Sequence, residues 1–359
     1  MRTPASLGPA PLRRLVEAMP KAELHLHLDG SVRVETALEL ARTRGVDAPR
    51  TYAGMFDALV APERTASQAE LLERFSLPIA LLQDAEALER VTTELVEAKA
   101  ADHVRYLEIR WGPALHTQRG LSLVDGIAAV CRAASMAAAR TGSTVRLICT
   151  ALRSHEPADT VALAETAARF RANGLVGWDL AGGEARHPDP ARFADAFAAA
   201  RAGGLRITVH AGEWGGAAQV RRALTLDPER IAHGPGAIDD PSLVAELIAR
   251  GVTLDLCPTS NVQAGIVASI AAHPMARLQR AGVSVTLSTD DTTVSDIRLS
   301  EEYARAVVDN GLTLPELWTI DRRALDVAFA DEATLTPLRD DFDAWAGAVS
   351  ELQTTAAPG

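Results

Sequence analysis

Leu24-His25-Leu26-His27-Leu28-Asp29-Gly30 sets leucines against two imidazoles and then adds a carboxylate and a glycine. Alternation with a period of two marks a β-strand, and residues two apart on a strand share a face. His25 and His27 therefore project together where the strand runs into a turn. Two neutral imidazoles held side by side make half of a transition-metal site. The same short pattern also serves as two hydrogen-bonded histidines on a half-buried strand. Whether the chain supplies further ligands decides between the two.

Seven later β-rich runs follow: Val104–Trp111, Thr144–Leu152, Leu175–Leu180, Leu205–His210, Arg230–His233, Val252–Cys257 and Val283–Thr289. With Ala22–Leu28 they make eight, most of the later ones about 20–40 residues apart and separated by Ala-, Leu- and Arg-rich helical stretches. Parallel strands need such crossovers. Eight of them predict an α/β fold, a (β/α)8 TIM barrel. An open doubly wound sheet is the alternative, but no Gly-X-Gly-X-X-Gly turn follows an early strand. No linker divides the chain, so residues 1–359 read as one barrel domain. A helical insertion occupies about 45–101 and C-terminal helices about 300–355. Locally, the pattern predicts a helix from Pro11 to Met19, and one N-capped by Ser31 that runs to about Arg44. It predicts a loop or lid over 45–65, and helix from Ser67 to Ala101 interrupted at Pro78.

Composition narrows the function. The net charge of −11 argues against binding a phosphate backbone, so no nucleic-acid partner is expected. No run of 18 uncharged apolar residues and no signal-peptide core occurs, so no membrane partner is expected either. Three widely spaced cysteines, Cys131, Cys149 and Cys257, form no disulfide framework and fit a reducing, cytoplasmic compartment. Oligomeric state leaves no mark in the sequence.

In barrels of this kind the reactive groups sit at the C-terminal ends of the strands. Those ends carry His25-Leu26-His27-Leu28-Asp29-Gly30, Asp179-Leu180-Ala181-Gly182-Gly183-Glu184, His210-Ala211-Gly212-Glu213, His233-Gly234 and Ser288-Thr289-Asp290-Asp291. A mononuclear site follows, with His25, His27, His210 and Asp290 as ligands and one position left open for water. Zinc, one per subunit, is favoured over iron because a Lewis acid rather than a redox centre is needed, with iron and cobalt left open by the sequence. Two-metal relatives of this barrel type bridge the metals with a lysine late in the fourth strand. Here the only lysines are Lys21 and Lys99, far from that strand in sequence.

Glu213 is a candidate proton donor, its pKa raised by an enclosed pocket, or else a glutamate favoured by a helix N-terminus. His233 is a candidate to orient or relay a proton from the attacking water, or else a barrel-core histidine. Asp290 and Asp291 diverge, one toward the metal and one toward substrate. Gly182 lets the backbone approach a ligand. Glu108 and Arg110 read as a buried ion pair. Leu71, Leu72 and Phe75 form an apolar helical face that packs or walls a pocket. His103, His116, His155, His187 and His273 read as surface or structural.

The motif Pro20-Lys21-Ala22-Glu23-Leu24-His25-Leu26-His27-Leu28-Asp29-Gly30 resembles the opening signature of the adenosine deaminase family. Asp179-Leu180-Ala181-Gly182, His210-Ala211-Gly212-Glu213, His233-Gly234, Cys257-Pro258-Thr259-Ser260-Asn261 and Ser288-Thr289-Asp290-Asp291 resemble its later motifs, in order, over about residues 20–330. The resemblance implies zinc-dependent hydrolytic deamination of a purine nucleoside at C6, most simply adenosine or 2′-deoxyadenosine to inosine-type products and ammonia. It implies that Glu213 protonates N1 and that His233 and Asp290 orient the attacking oxygen. Asp291 would bind N7, the Gly182 N–H would bind N3, and Asp29 would bind a ribose hydroxyl, with His27 also beside the substrate. Relatives include adenine deaminases and aminodeoxyfutalosine deaminases. Departures from the common pattern fall at Leu71, Gly183, Ser288 and Thr292, none of them in a catalytic position.

Overall fold

The computed structural model describes residues 8–353. Eight strands, β1 (Lys21–His27), β2 (Val104–Trp111), β3 (Thr144–Leu152), β4 (Leu175–Ala181), β5 (Arg206–Ala211), β6 (Arg230–His233), β7 (Thr253–Leu256) and β8 (Val285–Leu287), lie in sequence order. Each pairs in parallel with the next. Near-continuous Val, Ile and Leu fit strands buried on both faces beneath a layer of helices. All eight expected strands are present, three with the expected bounds and five with ends shifted by one to two residues.

The first and last strands close the barrel through little backbone. One bridge joins Leu26 to Asp290. The His27 N–H donates to the Asp290 carbonyl at 2.7 Å, and the Asp290 N–H donates to the His25 carbonyl at 3.1 Å. Side chains finish the seam. Glu23 accepts from the Thr289 N–H at 2.9 Å and its hydroxyl at 2.5 Å, and pairs with Lys99 at 2.6 Å. The His25 N–H donates to the Ser288 hydroxyl at 3.2 Å. Both lysines are thus structural, since Lys21 donates to the Met19 and Asp102 carbonyls. A second weak point is the β4–β5 ladder, whose register is limited to Gly177 with Arg206 and Trp178 with Ile207. Beyond it the Arg153 guanidinium donates to the carbonyls of His210 at 2.9 Å and His187 at 3.0 Å.

The barrel floor is charged. Glu108 and Arg110 do not pair with each other. Glu108 pairs with Arg230 and also accepts the Tyr106 hydroxyl and the Phe329 N–H. Arg230 reaches Asp255 at 3.1 Å, and Arg110 lies 3.7 Å from Asp255 and 3.3 Å from Asp179. Residues two apart on β2 point inward together, and neighbours on the same strand face diverge toward partners across the barrel. Phe329 plugs the floor, its ring 3.8 Å from the Arg230 guanidinium carbon.

Before and after β1 lie α1 (Pro9–Ala18), α2 (Val34–Arg44), α3 (Tyr52–Leu59), α4 (Gln68–Glu73), α5 (Ser76–Leu81) and α6 (Ala85–Ala101). Three local expectations are corrected. Ser31 is not an N-cap: it ends a 3-10 turn, and its hydroxyl donates to the His27 carbonyl at 2.6 Å. The stretch 45–65 is not all loop, because Thr51 caps α3 through the Gly54 N–H. Pro78 does not interrupt a helix; it sits in the first turn of α5, where its missing N–H is not needed. The breaks fall instead at Arg74–Phe75 and Leu82–Asp84, with Asp84 capping α6. The C-terminal helices run to Gln353, and the last part of the expected tail lies outside the described residues.

Candidate active site

At the C-terminal mouth of the barrel, His25 and His27 of β1, His210 of β5 and Asp290 just after β8 bring one ligand atom each within 4.8 Å of all the others. The Nε2 atoms of His27 and His210 are 3.1 Å apart, and those of His25 and His27 are 3.4 Å apart. Asp290 Oδ1 lies 3.0 Å from His25 Nε2 and 3.4 Å from His27 Nε2. A tetrahedron with metal–nitrogen bonds of about 2.0–2.1 Å has edges of about 3.3–3.4 Å. The donor set therefore fits a single metal ion. The Nδ1–H of His210 donates to Asp179 at 2.9 Å, which turns its bare Nε2 toward the same point.

Burial and the surrounding charges keep this group in ligand form. Burial pushes the His25 imidazole well below its ordinary range and His27 down to about 3. Burial alone would raise Asp290, but its interactions with the neighbouring His25 and His233 outweigh it and hold the carboxyl well below the usual range. Two site residues sit in the left-handed backbone region, His233 with φ of 68° and Asp290 with φ of 65°. For non-glycine residues that conformation costs about 1–3 kcal/mol each, and it persists where the surroundings over-determine it.

A cavity of about 330 Å³ opens above the metal group. Glu213, Asp29, Asp291 and Gly182 face it on the polar side, and Leu71 and Phe75 of the insertion help to wall it. The apolar face of α4 thus serves the pocket as well as packing. Burial, then the charges of Asp290 and Glu184, push the Glu213 carboxyl well above its usual range. Burial together with Asp290 and Asp29 does the same to Asp291. One oxygen each of Asp29 and Asp291 is buried without a hydrogen-bond partner. Gly30 is required here: a Cβ on it would lie 1.6 Å from an Asp291 oxygen. Gly182 turns out of β4 with φ of 96°, a conformation side chains resist.

Several residues that support the site lie outside the list drawn from the sequence. Glu184 accepts the N–H groups of Gly212, Trp214 and Gly215 at 2.7–2.8 Å, and so holds the turn that carries Glu213. Its place two residues beyond Gly182 was the available signal. Ser260 donates to Asp290 Oδ2 at 2.7 Å. Of the histidines read as surface or structural, His116 and His273 are buried and structural, His116 4.0 Å from Asp29 and His273 bonded to Asn261. Sequence spacing carries no trace of either contact. His187 lines the cavity rim.

An eight-stranded parallel barrel with a histidine–carboxylate group that could hold a metal ion at its C-terminal mouth is the architecture of a barrel-type hydrolase. Residues 20–345 match the model of the family described as adenosine deaminase. The chain is 40% identical to the adenosine deaminase of Mycobacterium ulcerans over 336 residues, 88% of this chain and 91% of that one. Its fold is similar to a zinc-bound amidohydrolase from Burkholderia ambifaria, with TM-score 0.86 and 28% identity over 97% and 96% of the two chains. It is also similar to the adenine deaminase of Arthrobacter aurescens, with TM-score 0.85 and 28% identity over 92% and 100%. The chain belongs to the adenosine deaminase family. No helix among the described residues is long and apolar enough to cross a membrane.

Proposed function

We propose that the protein hydrolyses the C6–amine bond of a purine nucleoside, with adenosine and 2′-deoxyadenosine as substrates and one zinc held by His25, His27, His210 and Asp290. The observation that carries this reading is the position of Glu213. Its half-buried carboxyl lies 3.8 Å from His233 beside the metal group and faces the cavity. When bound, the metal supplies Lewis-acid charge and makes water a stronger nucleophile near neutral pH.

The chain's own groups do the rest. A carboxyl pushed well above its ordinary pKa is a proton donor, so Glu213 protonates N1 of the purine and leaves C6 electron-poor. Asp291, held neutral in the same way, donates to N7. In this reading the Gly182 N–H donates to N3, and Asp29 takes a ribose hydroxyl on its free oxygen. His27 borders the same cavity. His233 and Asp290 flank the position from which water adds to C6. The added oxygen stays on C6 and gives up both its protons, one leaving on the amine as ammonia and the other restoring the Glu213 carboxyl.

The alternative substrates are free adenine, which the likeness to the A. aurescens enzyme brings in, and 5′-extended adenosines such as aminodeoxyfutalosine. A panel of adenine, adenosine, 2′-deoxyadenosine and 5′-extended adenosines, followed by loss of adenine absorbance, separates them. The nucleosides are expected to turn over fastest, and activity confined to free adenine overturns the assignment of Asp29 to the sugar.

A further inference from the structure

Behind His233, away from the cavity, three buried groups form a chain that ends on a backbone amide. The Met275 N–H donates to His273 Nδ1 at 3.2 Å. That nitrogen must offer a lone pair, so the neutral His273 ring carries its proton on Nε2. The Nε2–H donates to Asn261 Oδ1 at 3.1 Å. With its carbonyl so engaged, Asn261 turns its amide NH2 to His233 Nδ1 at 3.1 Å. An amide hydrogen facing Nδ1 requires a lone pair there, because a proton on Nδ1 would meet the amide hydrogens head on. His233, Asn261 and His273 are each at most 3% exposed, so bulk water cannot exchange these partners.

We infer that Asn261 and His273 are positioning residues that lock His233 as the Nε2–H tautomer, making it a hydrogen-bond donor to the attacking oxygen and not the base that takes its proton. The chain starts on a main-chain N–H, which has no second orientation, and every later donor is dictated by the one before it. At its far end His233 Nε2 lies 3.7 Å from Asp290 Oδ2 and 3.8 Å from Glu213 Oε1. Those gaps are too long for direct hydrogen bonds, and an oxygen lying to one side of them reaches all three groups at hydrogen-bond distance. The same arrangement protects the metal group. His233, Cys257 and Asp290 form a second set of potential ligand atoms within 4.8 Å of one another. A bare Nε2 there would compete for the metal, whereas an Nε2–H cannot.

The inference rests on the reading that His233 borders the reacting atoms, but its main test needs no activity. The protein as purified, with its metal, is labelled with 15N-histidine, and the His233 ring is assigned as the signal lost in His233→Gln. Nδ1 is expected to resonate as a bare, pyridine-type nitrogen and Nε2 as a protonated, pyrrole-type one. Asn261→Asp keeps the shape but accepts from both rings, so it should move the His233 proton to Nδ1. It should also lower kcat on adenosine about 100-fold or more, with KM within about threefold, as expected when a catalytic histidine is held in the wrong tautomer. His273→Leu should lower kcat, and His273→Gln, whose amide still donates, should restore most of it. A wild-type ring protonated at Nδ1 overturns the inference. So does Asn261→Asp losing kcat with the tautomer unchanged, which is the signature of a purely structural role. If Asn261→Asp does not fold, the wild-type spectrum and the His273 pair decide. The expected tautomer without turnover of adenosine would count against the substrate assignment alone.

Discussion

The floor and the mouth of this barrel are built from the same residue types and managed in opposite ways. On the floor, Glu108, Arg230, Asp255, Arg110 and Asp179 alternate in sign, so each buried charge meets an opposite one. At the mouth, Asp29, Glu213, Asp290 and Asp291 crowd together; burial pushes Asp29 up to about 6, and burial with the charges of Asp290 and Asp29 pushes Asp291 well above its usual range. Free oxygens on Asp29 and Asp291, and the left-handed backbone at His233 and Asp290, add to the contrast. A paired interior charge is a structural device, since removing one partner strands the other. An unpaired cluster of acids persists where a cation and a substrate are to complete it.

Replacing residues at the two ends tests this division. The largest effect is expected for His210→Ala at the mouth, which should lose the metal and measurable turnover together while the apo fold survives. A fully metallated, active variant would remove His210 from the ligand set. On the floor, Arg230→Met strands Glu108 and Asp255 and should cost about 3–5 kcal/mol in denaturant unfolding. The kcat of the folded fraction should stay within a few-fold, and a collapse of kcat at unchanged stability would break the comparison. Glu213→Gln should keep the metal and lose about 100-fold or more in kcat; unchanged turnover would take Glu213 out of the chemistry. Asp179 belongs to both regions, pairing with Arg110 below and His210 above. Asp179→Asn should therefore weaken metal affinity about 10- to 100-fold, measured by competition with a chelator.

The smallest effect concerns pH. Burial pushes the Glu302 carboxyl, bonded to Thr259, up to about 7 from an ordinary 4.5. Between those values the folded protein holds a proton that the unfolded chain has released. Its contribution to stability is therefore full below pH 4.5 and lost as pH rises through 7. Glu302→Gln should flatten the fall in unfolding free energy over that interval, and an unchanged slope would place its source elsewhere.

The regions also differ in how readily they are read from the chain. His25, His27, His210 and Asp290 were legible because strand periodicity and the barrel rule both point to strand ends. Glu213 and Asp291 followed as their neighbours. The supports were not legible. Glu184, Asn261 and His273 act through contacts between loops, and no period in sequence encodes a loop-to-loop distance. The floor misled for a related reason. Glu108 and Arg110 are two apart on β2, and only the closed barrel shows that each finds its partner on another strand. Ser31 looked like a cap because its residue type suits one, yet its hydroxyl is spent on the turn after His27.

The seam between β1 and β8 has a consequence for how the molecule comes into being. His25 meets Ser288 across 263 positions of chain, and the carboxylate ligand follows two residues later. During synthesis the two β1 imidazoles emerge first and wait for the chain beyond β8. The complete ligand set does not exist until Asp290 has been added. A metal ion captured there ties the first strand to the last, so loading is the final stitch in the ring and not a seed for it.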